Sequence, residues 1–181
     1  MTHYFAAIPV PFERVAEQLD KTDKRYHLSA NYKVIPHPAD LHVTLLFFGA
    51  LTSCELRGVK QTMSDLASGT QKFQLSINGI SFFGNPSGPR VVYLSVDVQS
   101  DLNYLNRQLS NRLEPSLHRS FPKTFTPHVT LAKKRKDTPS IVIEKETFKP
   151  IVLEISKIVL YSIDPTTSPK YSPETTFPFI E

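Results

Sequence analysis

The stretches "LHVTLLFFG" (Leu41 to Gly49) and "TPHVTLAKK" (Thr126 to Lys134) share the tetrapeptide His-Val-Thr-Leu. Their histidines, His42 and His128, lie 86 residues apart in a chain of 181. Side chains alternate across a strand, so His42 and Thr44 would share one face and Val43 and Leu45 the other. His128 and Thr130 would likewise stand opposite Val129 and Leu131. Each apolar pair can anchor its strand on a core while the polar pair faces a cleft. A single His-x-Thr usually marks only a half-buried strand. Two copies, each with a basic or aromatic flank, favour a built site.

Two facing imidazoles can divide acid and base work near neutral pH, because the ordinary imidazole pKa is about 6.5. A neutral ring takes a proton from water or a hydroxyl, and an imidazolium gives one to a leaving oxygen. Threonine hydroxyls can hold the non-bridging oxygens of a phosphate undergoing in-line displacement. This chemistry requires no metal. A catalytic zinc would want a third ligand at tighter spacing. His3, His37 and His118 form no such pattern, and with His27 they read as surface or structural residues.

Lys123 precedes the second motif, and Lys133, Lys134, Arg135 and Lys136 follow it. Regular alternation puts Lys134 on the face of His128 and Thr130, with Lys133 opposite. The run reads equally well as a solvated strand end and as an attractor for an RNA backbone. Lys133 and Lys134 are therefore both candidate substrate contacts. Tyr32, Phe47, Phe48, Phe82, Phe83, Phe121, Phe125 and Tyr171 supply aromatic rings. One or two of them could stack a base, and the rest read as core.

The elements that must position these groups follow from hydrophobic periodicity. "HYFAAIPV", "YKVIP", "LHVTLLFF", "FQLSINGISFF", "RVVYLSVDV", "HVTLAKK", "SIVIEKETF", "VLEISKIVLYSI" and "ETTFPFI" read as strands. "FERVAEQLDK" reads as a helix. "SCELRGVKQTMSDLAS" reads as a second, with Ser53 as N-cap, and "SDLNYLNRQLSNRLEPSL" as a third, capped by Ser100. The proline-rich "DPTTSPKYSP" reads as an ordered connection. Hairpins mixed with a few helices give an α+β class. The repeated tetrapeptide suggests two similar lobes, each donating one strand to a shared cleft.

A chain of this length can bury a sizeable core as one domain spanning residues 1–181. The net charge of +4 permits an anionic substrate and decides nothing alone. The single cysteine, Cys54, excludes an intrachain disulfide and reads as structural or surface. The N-terminus lacks the pattern of a signal peptide, and no apolar run approaches the roughly 20 residues of a membrane span. The expectation is a cytoplasmic monomer without a membrane partner.

The two motifs, their spacing and the chain length resemble the 2H phosphoesterase superfamily. Within it the chain resembles the bacterial RNA 2′,3′-cyclic phosphodiesterases, also called 2′-5′ RNA ligases. "YFAAIPVP", the Phe-x-Gly after the first motif, "TPHVTLAK", "PRVVYLSV" and "LYSIDPTTSPKY" carry the resemblance over nearly the whole chain. It implies two pseudo-symmetric lobes, each a mostly antiparallel sheet with helices outside, around a central cleft. It implies hydrolysis of RNA 2′,3′-cyclic phosphate ends to 2′-phosphomonoesters without a metal or other cofactor, and possible reverse joining through a 2′-5′ linkage. His42 would then be the acid, His128 the base, and Thr44 and Thr130 the phosphate holders. Where that branch often reads Leu-Ala-Arg, this chain has Lys133, which keeps the charge but lacks the bidentate fork. Small cyclic nucleotides, 2′-5′ oligonucleotides and an ADP-ribose cyclic phosphate are alternative substrates. A non-catalytic module that binds RNA ends is the alternative class.

Overall fold

A computed structural model describes residues 2–97 and 99–181. In chain order it contains β1 (His3–Pro9), α1 (Phe12–Tyr26), α2 (Leu28–Asn31), β2 (Tyr32–Val34) and a 3-10 turn at Pro38–Asp40. Then come β3 (His42–Ala50), α3 (Ser53–Ala67), β4 (Phe73–Phe83), β5 (Val91–Val96) and α4 (Ser100–Leu117). The chain ends with β6 (His128–Arg135), β7 (Glu146–Ile155), β8 (Lys157–Ile163) and β9 (Tyr171–Pro178). The class is α+β.

The strands run β7-β4-β5-β6-β3-β1-β8-β9, with β2 pairing β6 off that path. All these strand pairs are antiparallel. The two lobes are halves of one sheet. Strands β3, β1, β8 and β9 come from both chain ends, and β6, β5, β4 and β7 from the middle. The halves meet at the residue pair Val43 and Val129, inside the two copies of the repeated tetrapeptide.

The main core includes alternate residues of each strand, for example Ala6 and Ile8 of β1 and Ile158 and Leu160 of β8. The predicted stripe Leu102, Leu105, Leu109 and Leu113 of α4 is fully inside it. The intervening residues Phe5, Ala7, Val159 and Tyr161 form a second, smaller cluster. Strand alternation puts that cluster on the opposite face of the sheet, beneath the site.

Helix ends depart from the sequence reading. Ser53 is the first helical residue of α3, and Thr52 is the cap. Thr52 Oγ1 accepts from Glu55 N at 3.2 Å, and the Glu55 carboxylate accepts from Thr52 N at 2.7 Å. A glutamate three residues on makes this reciprocal box, so the cap falls one residue earlier. Ser100 likewise starts α4 rather than capping it; Gln99 stands at the cap without a side-chain bond. Helices α1 and α4 both end on a left-handed histidine with φ 49°, His27 and His118. These two histidines are structural.

Strand boundaries differ too. Ser140–Lys145 of "SIVIEKETF" lies outside the regular strands, and "VLEISKIVLYSI" breaks at Ser156 into the ends of β7 and β8. Those two strands belong to opposite halves. Pro150 in β7 and Pro173 and Pro178 in β9 sit on the outer strands of the sheet, where a missing N–H costs least.

Candidate active site

The register at the junction sets the site. With Val43 opposite Val129 in an antiparallel pair, His42 stands across from Thr130 and Thr44 across from His128. Each histidine faces the other motif's threonine, and the two histidines are diagonal neighbours. Such diagonals are about 7–8 Å apart, the span of one bound phosphate.

Both strands bulge directly after the motif. In β3, Ala7 pairs Thr44 but Ala6 pairs Leu46, leaving Leu45 extra. In β6, Tyr93 pairs Thr130 but Val92 pairs Ala132, leaving Leu131 extra. Consecutive residues then turn to the core, and Leu45, Leu46, Leu131 and Ala132 are all buried. The side-chain phase flips after each bulge. The fifth residue after each histidine therefore returns to the cleft: Phe47 in β3 and Lys133 in β6. This corrects the expectation from regular alternation. Lys133 reaches the site, while Lys134 is exposed, outside the cavity wall, with φ 61°. After the bulges β3 turns away through Gly49, whose φ of 73° suits glycine best.

A cavity of about 320 Å³ is walled by His42, Thr44, Thr130, Lys133, Phe47 and Lys170, among others. His128 does not line it and stands across the strand pair from Thr44. Phe47 is 52% exposed despite its size, which marks it as a surface available for stacking. Tyr171 is another candidate ring that reaches the cavity, and Tyr32 and Phe48 belong to the core. His37 also lines the cavity, and its ring accepts a hydrogen bond from Ala39 N at 3.1 Å.

The two rings are oriented alike. His42 Nδ1 lies 2.7 Å from the Asp40 carbonyl, and His128 Nδ1 lies 2.8 Å from the Thr126 carbonyl. A carbonyl only accepts, so both Nδ1 atoms carry the proton and both Nε2 atoms are left for chemistry. Thr44 Oγ1 is 3.0 Å from His42 Nε2 and donates to it when the ring is neutral. His42 packs on Phe5 at 4.9 Å and on Tyr171 at 5.2 Å. His128 packs on Tyr93 at 5.0 Å and on Phe83 at 5.1 Å.

Burial first, with the charges of Lys133 and His128 adding to it, holds the His42 pKa down at about 4 against the opposing contacts with Asp40. Burial also lowers His128. Lys133 is lowered by burial first and then by Lys170 and Lys134, with Asp40 opposing. The site thus holds its charge reluctantly. An anion about 4 Å from His42, at an effective dielectric near 20, is worth about 4 kcal/mol, or about 3 pKa units. A bound anion there therefore favours the imidazolium, the form of the ring that can give a proton.

Two residues that the sequence reading did not single out complete the wall. Asp40 lies two positions before His42, and Lys170 comes from the proline-rich connection. Neither carries a signal of its own in sequence. Among the described residues, no three His, Cys, Asp or Glu side chains group as metal ligands, and no helix is long and apolar enough to cross a membrane.

The family model of the 2′-5′ RNA ligase superfamily matches residues 9–167. The RNA 2′,3′-cyclic phosphodiesterase of Geobacillus stearothermophilus is 26% identical over 185 residues, covering 99% of this chain and 58% of the relative. The enzyme of the same name from Bacillus subtilis strain 168 is 27% identical over 132 residues, covering 73% of this chain and 71% of the relative. This chain thus spans a little over half the length of the first of these. Escherichia coli LigT, solved in complex with 3′-AMP, has a similar fold, with a TM-score of 0.82 at 18% identity and 99% coverage of both chains.

Proposed function

The chain belongs to the 2′-5′ RNA ligase superfamily, and from that premise we propose that it hydrolyses RNA 2′,3′-cyclic phosphate ends to 2′-phosphomonoesters by two-histidine acid–base catalysis. The register at Val43 and Val129 supports this reading, because it makes His42 and His128 diagonal neighbours and sets each across from the other motif's threonine. The relatives named RNA 2′,3′-cyclic phosphodiesterase support the same substrate.

His128, outside the cavity wall, is the base that meets water. Its Nε2 takes a water proton as the water oxygen bonds to phosphorus. The bond from phosphorus to O3′ breaks, and His42 Nε2–H delivers its proton to that oxygen. Thr44, Thr130 and Lys133 hold the equatorial oxygens. The products are a 2′-phosphate and a 3′-hydroxyl, and solvent resets the two histidines. Phe47 is the platform for the terminal base. A 5′-hydroxyl in place of water gives the reverse joining through a 2′-5′ bond.

The test is hydrolysis of a nucleoside 2′,3′-cyclic phosphate in excess EDTA, with His42→Ala and His128→Ala compared. Turnover in EDTA that collapses in both variants is the expected result. Unchanged turnover in either variant overturns the assigned roles.

A further inference from the structure

Asp40 presents a carboxylate in a cavity otherwise suited to an anion. It is 5% exposed, and a buried charge is kept only where its bonds are worth the repulsion it brings to a phosphate. Its Oδ2 accepts from the backbone N–H of Lys170 at 2.9 Å and its Oδ1 from that of Tyr171 at 3.2 Å. Its own carbonyl accepts from His42 Nδ1 at 2.7 Å. One residue thus bonds both to the reacting imidazole and to the segment that closes the cavity on the far side. That segment brings Lys170 into the wall and sets the Tyr171 ring edge-on to His42.

The choice of aspartate follows from the donors it meets. Both partners are backbone N–H groups, so only a side chain with two acceptor oxygens satisfies them. Asparagine would turn an NH2 group toward one of them. We propose that Asp40 is the positioning residue of this site: its carboxylate latches Lys170 and Tyr171 over the cavity while its carbonyl orients His42, so that the three are held as one unit. The inference rests on the phosphodiesterase reading for its kinetic consequences, but the latch stands on geometry.

The charge matters as well as the shape. The titratable groups around Asp40 and His42 are His37, Lys133, Lys170 and Tyr171 in the cavity wall, with His128 on β6 and Tyr161 on β8 beyond it. Removing the carboxylate leaves the cations without their counter-charge and disfavours the His42 imidazolium. A neutral residue at position 40 therefore moves the alkaline limb of the kcat profile, where the acid is lost, to lower pH.

The experiment compares wild type with Asp40→Asn and Asp40→Glu on a nucleoside 2′,3′-cyclic phosphate across pH. Asp40→Asn should lower kcat/KM about 10²-fold, the scale of a misplaced catalytic group, with the alkaline limb displaced toward acid. Asp40→Glu should keep the charge and the limb but lose the fit. A loss uniform across pH, or no loss, overturns the proposal. Amide hydrogen exchange in the wild-type protein gives a second reading that needs no variant. The Lys170 and Tyr171 amides should be protected, and exchange at the rate of an open loop overturns the latch. If wild type fails to hydrolyse the substrate while both amides are protected, the functional reading fails and the latch survives.

Discussion

Strands β3 and β6 carry the same four letters, bulge at the same leucine and turn the fifth residue after the histidine back into the cleft, yet their surroundings differ. In β3 that fifth residue is Phe47; in β6 it is Lys133. His42 sits on the small cluster of Phe5 and Tyr161 and lines the cavity, whereas His128 leans on Tyr93 and Phe83 outside it. Beyond the bulges, β6 is paired by β2, with Val34 opposite Lys133. The corresponding stretch of β3 is met by a side chain: Arg119 donates to the carbonyls of Phe48 and Ala50, the latter at 2.7 Å. The shared parts set where the reacting groups stand. In the proposed reaction the unshared parts divide the work: the half with the exposed Phe47 takes the nucleoside, and the half with Lys133 holds the phosphate charge.

The comparison breaks most visibly at the histidines. His42→Ala and His128→Ala should each lower kcat by about 10³-fold, within the range of a lost general acid or base, as measured by steady-state hydrolysis. Folding should be intact by circular dichroism, because both rings stand at the cleft. Thr44→Val and Thr130→Val come next. Each removes one hydrogen bond to a charged group, worth about 1.5–3 kcal/mol, or about 10- to 150-fold in kcat/KM. Equal losses would mean the two hydroxyls hold the phosphate alike; a smaller loss for Thr130 would show that Thr44 has a further duty toward His42.

The fifth-residue pair separates binding modes. Phe47→Ala should raise KM about tenfold with kcat little changed, as expected for a lost stacking contact of about 1–3 kcal/mol. Lys133→Ala should instead flatten the salt dependence of KM. The pH profile sharpens the picture further. The reactive form carries one Nε2 proton between the two rings. Both free-enzyme values lie below the ordinary imidazole value, with His42 at about 4. The kcat/KM bell should therefore peak on the acid side of 6.5, and the kcat bell should move to higher pH once a phosphate is bound. The smallest effect on turnover is expected at Asn106, whose Nδ2 donates to the carbonyl of the bulged Leu45 at 2.7 Å. Asn106→Leu should cost about 1–3 kcal/mol of stability, read by denaturant unfolding, because it strands a buried acceptor.

Alternation alone put His42 with Thr44, and His128 with Thr130, on one face of each strand, and the pairing of Val43 with Val129 sets the two strands side by side. The same rule failed one bulge later, because an inserted residue leaves no mark in a run of apolar letters. Leu45-Leu46 and Leu131-Ala132 read as ordinary strand, so regular alternation put Lys134 rather than Lys133 on the motif's face. The α+β class was legible from periodicity. The interleaving of the halves was not, because β7 and β8 are contiguous in sequence and only pairing partners assign them to opposite sides. Asp40 and Lys170 were silent for a related reason: their roles depend on backbone contacts across 130 positions.

The central claim is that His42 protonates the leaving oxygen and His128 activates water. It is tested most directly by the rate on a cyclic substrate with sulfur in place of O3′, a leaving group that needs no proton. His42→Ala should hydrolyse it at close to the wild-type rate, while His128→Ala stays impaired. Rescue of His128→Ala instead, or equal impairment of both variants, would contradict the assignment.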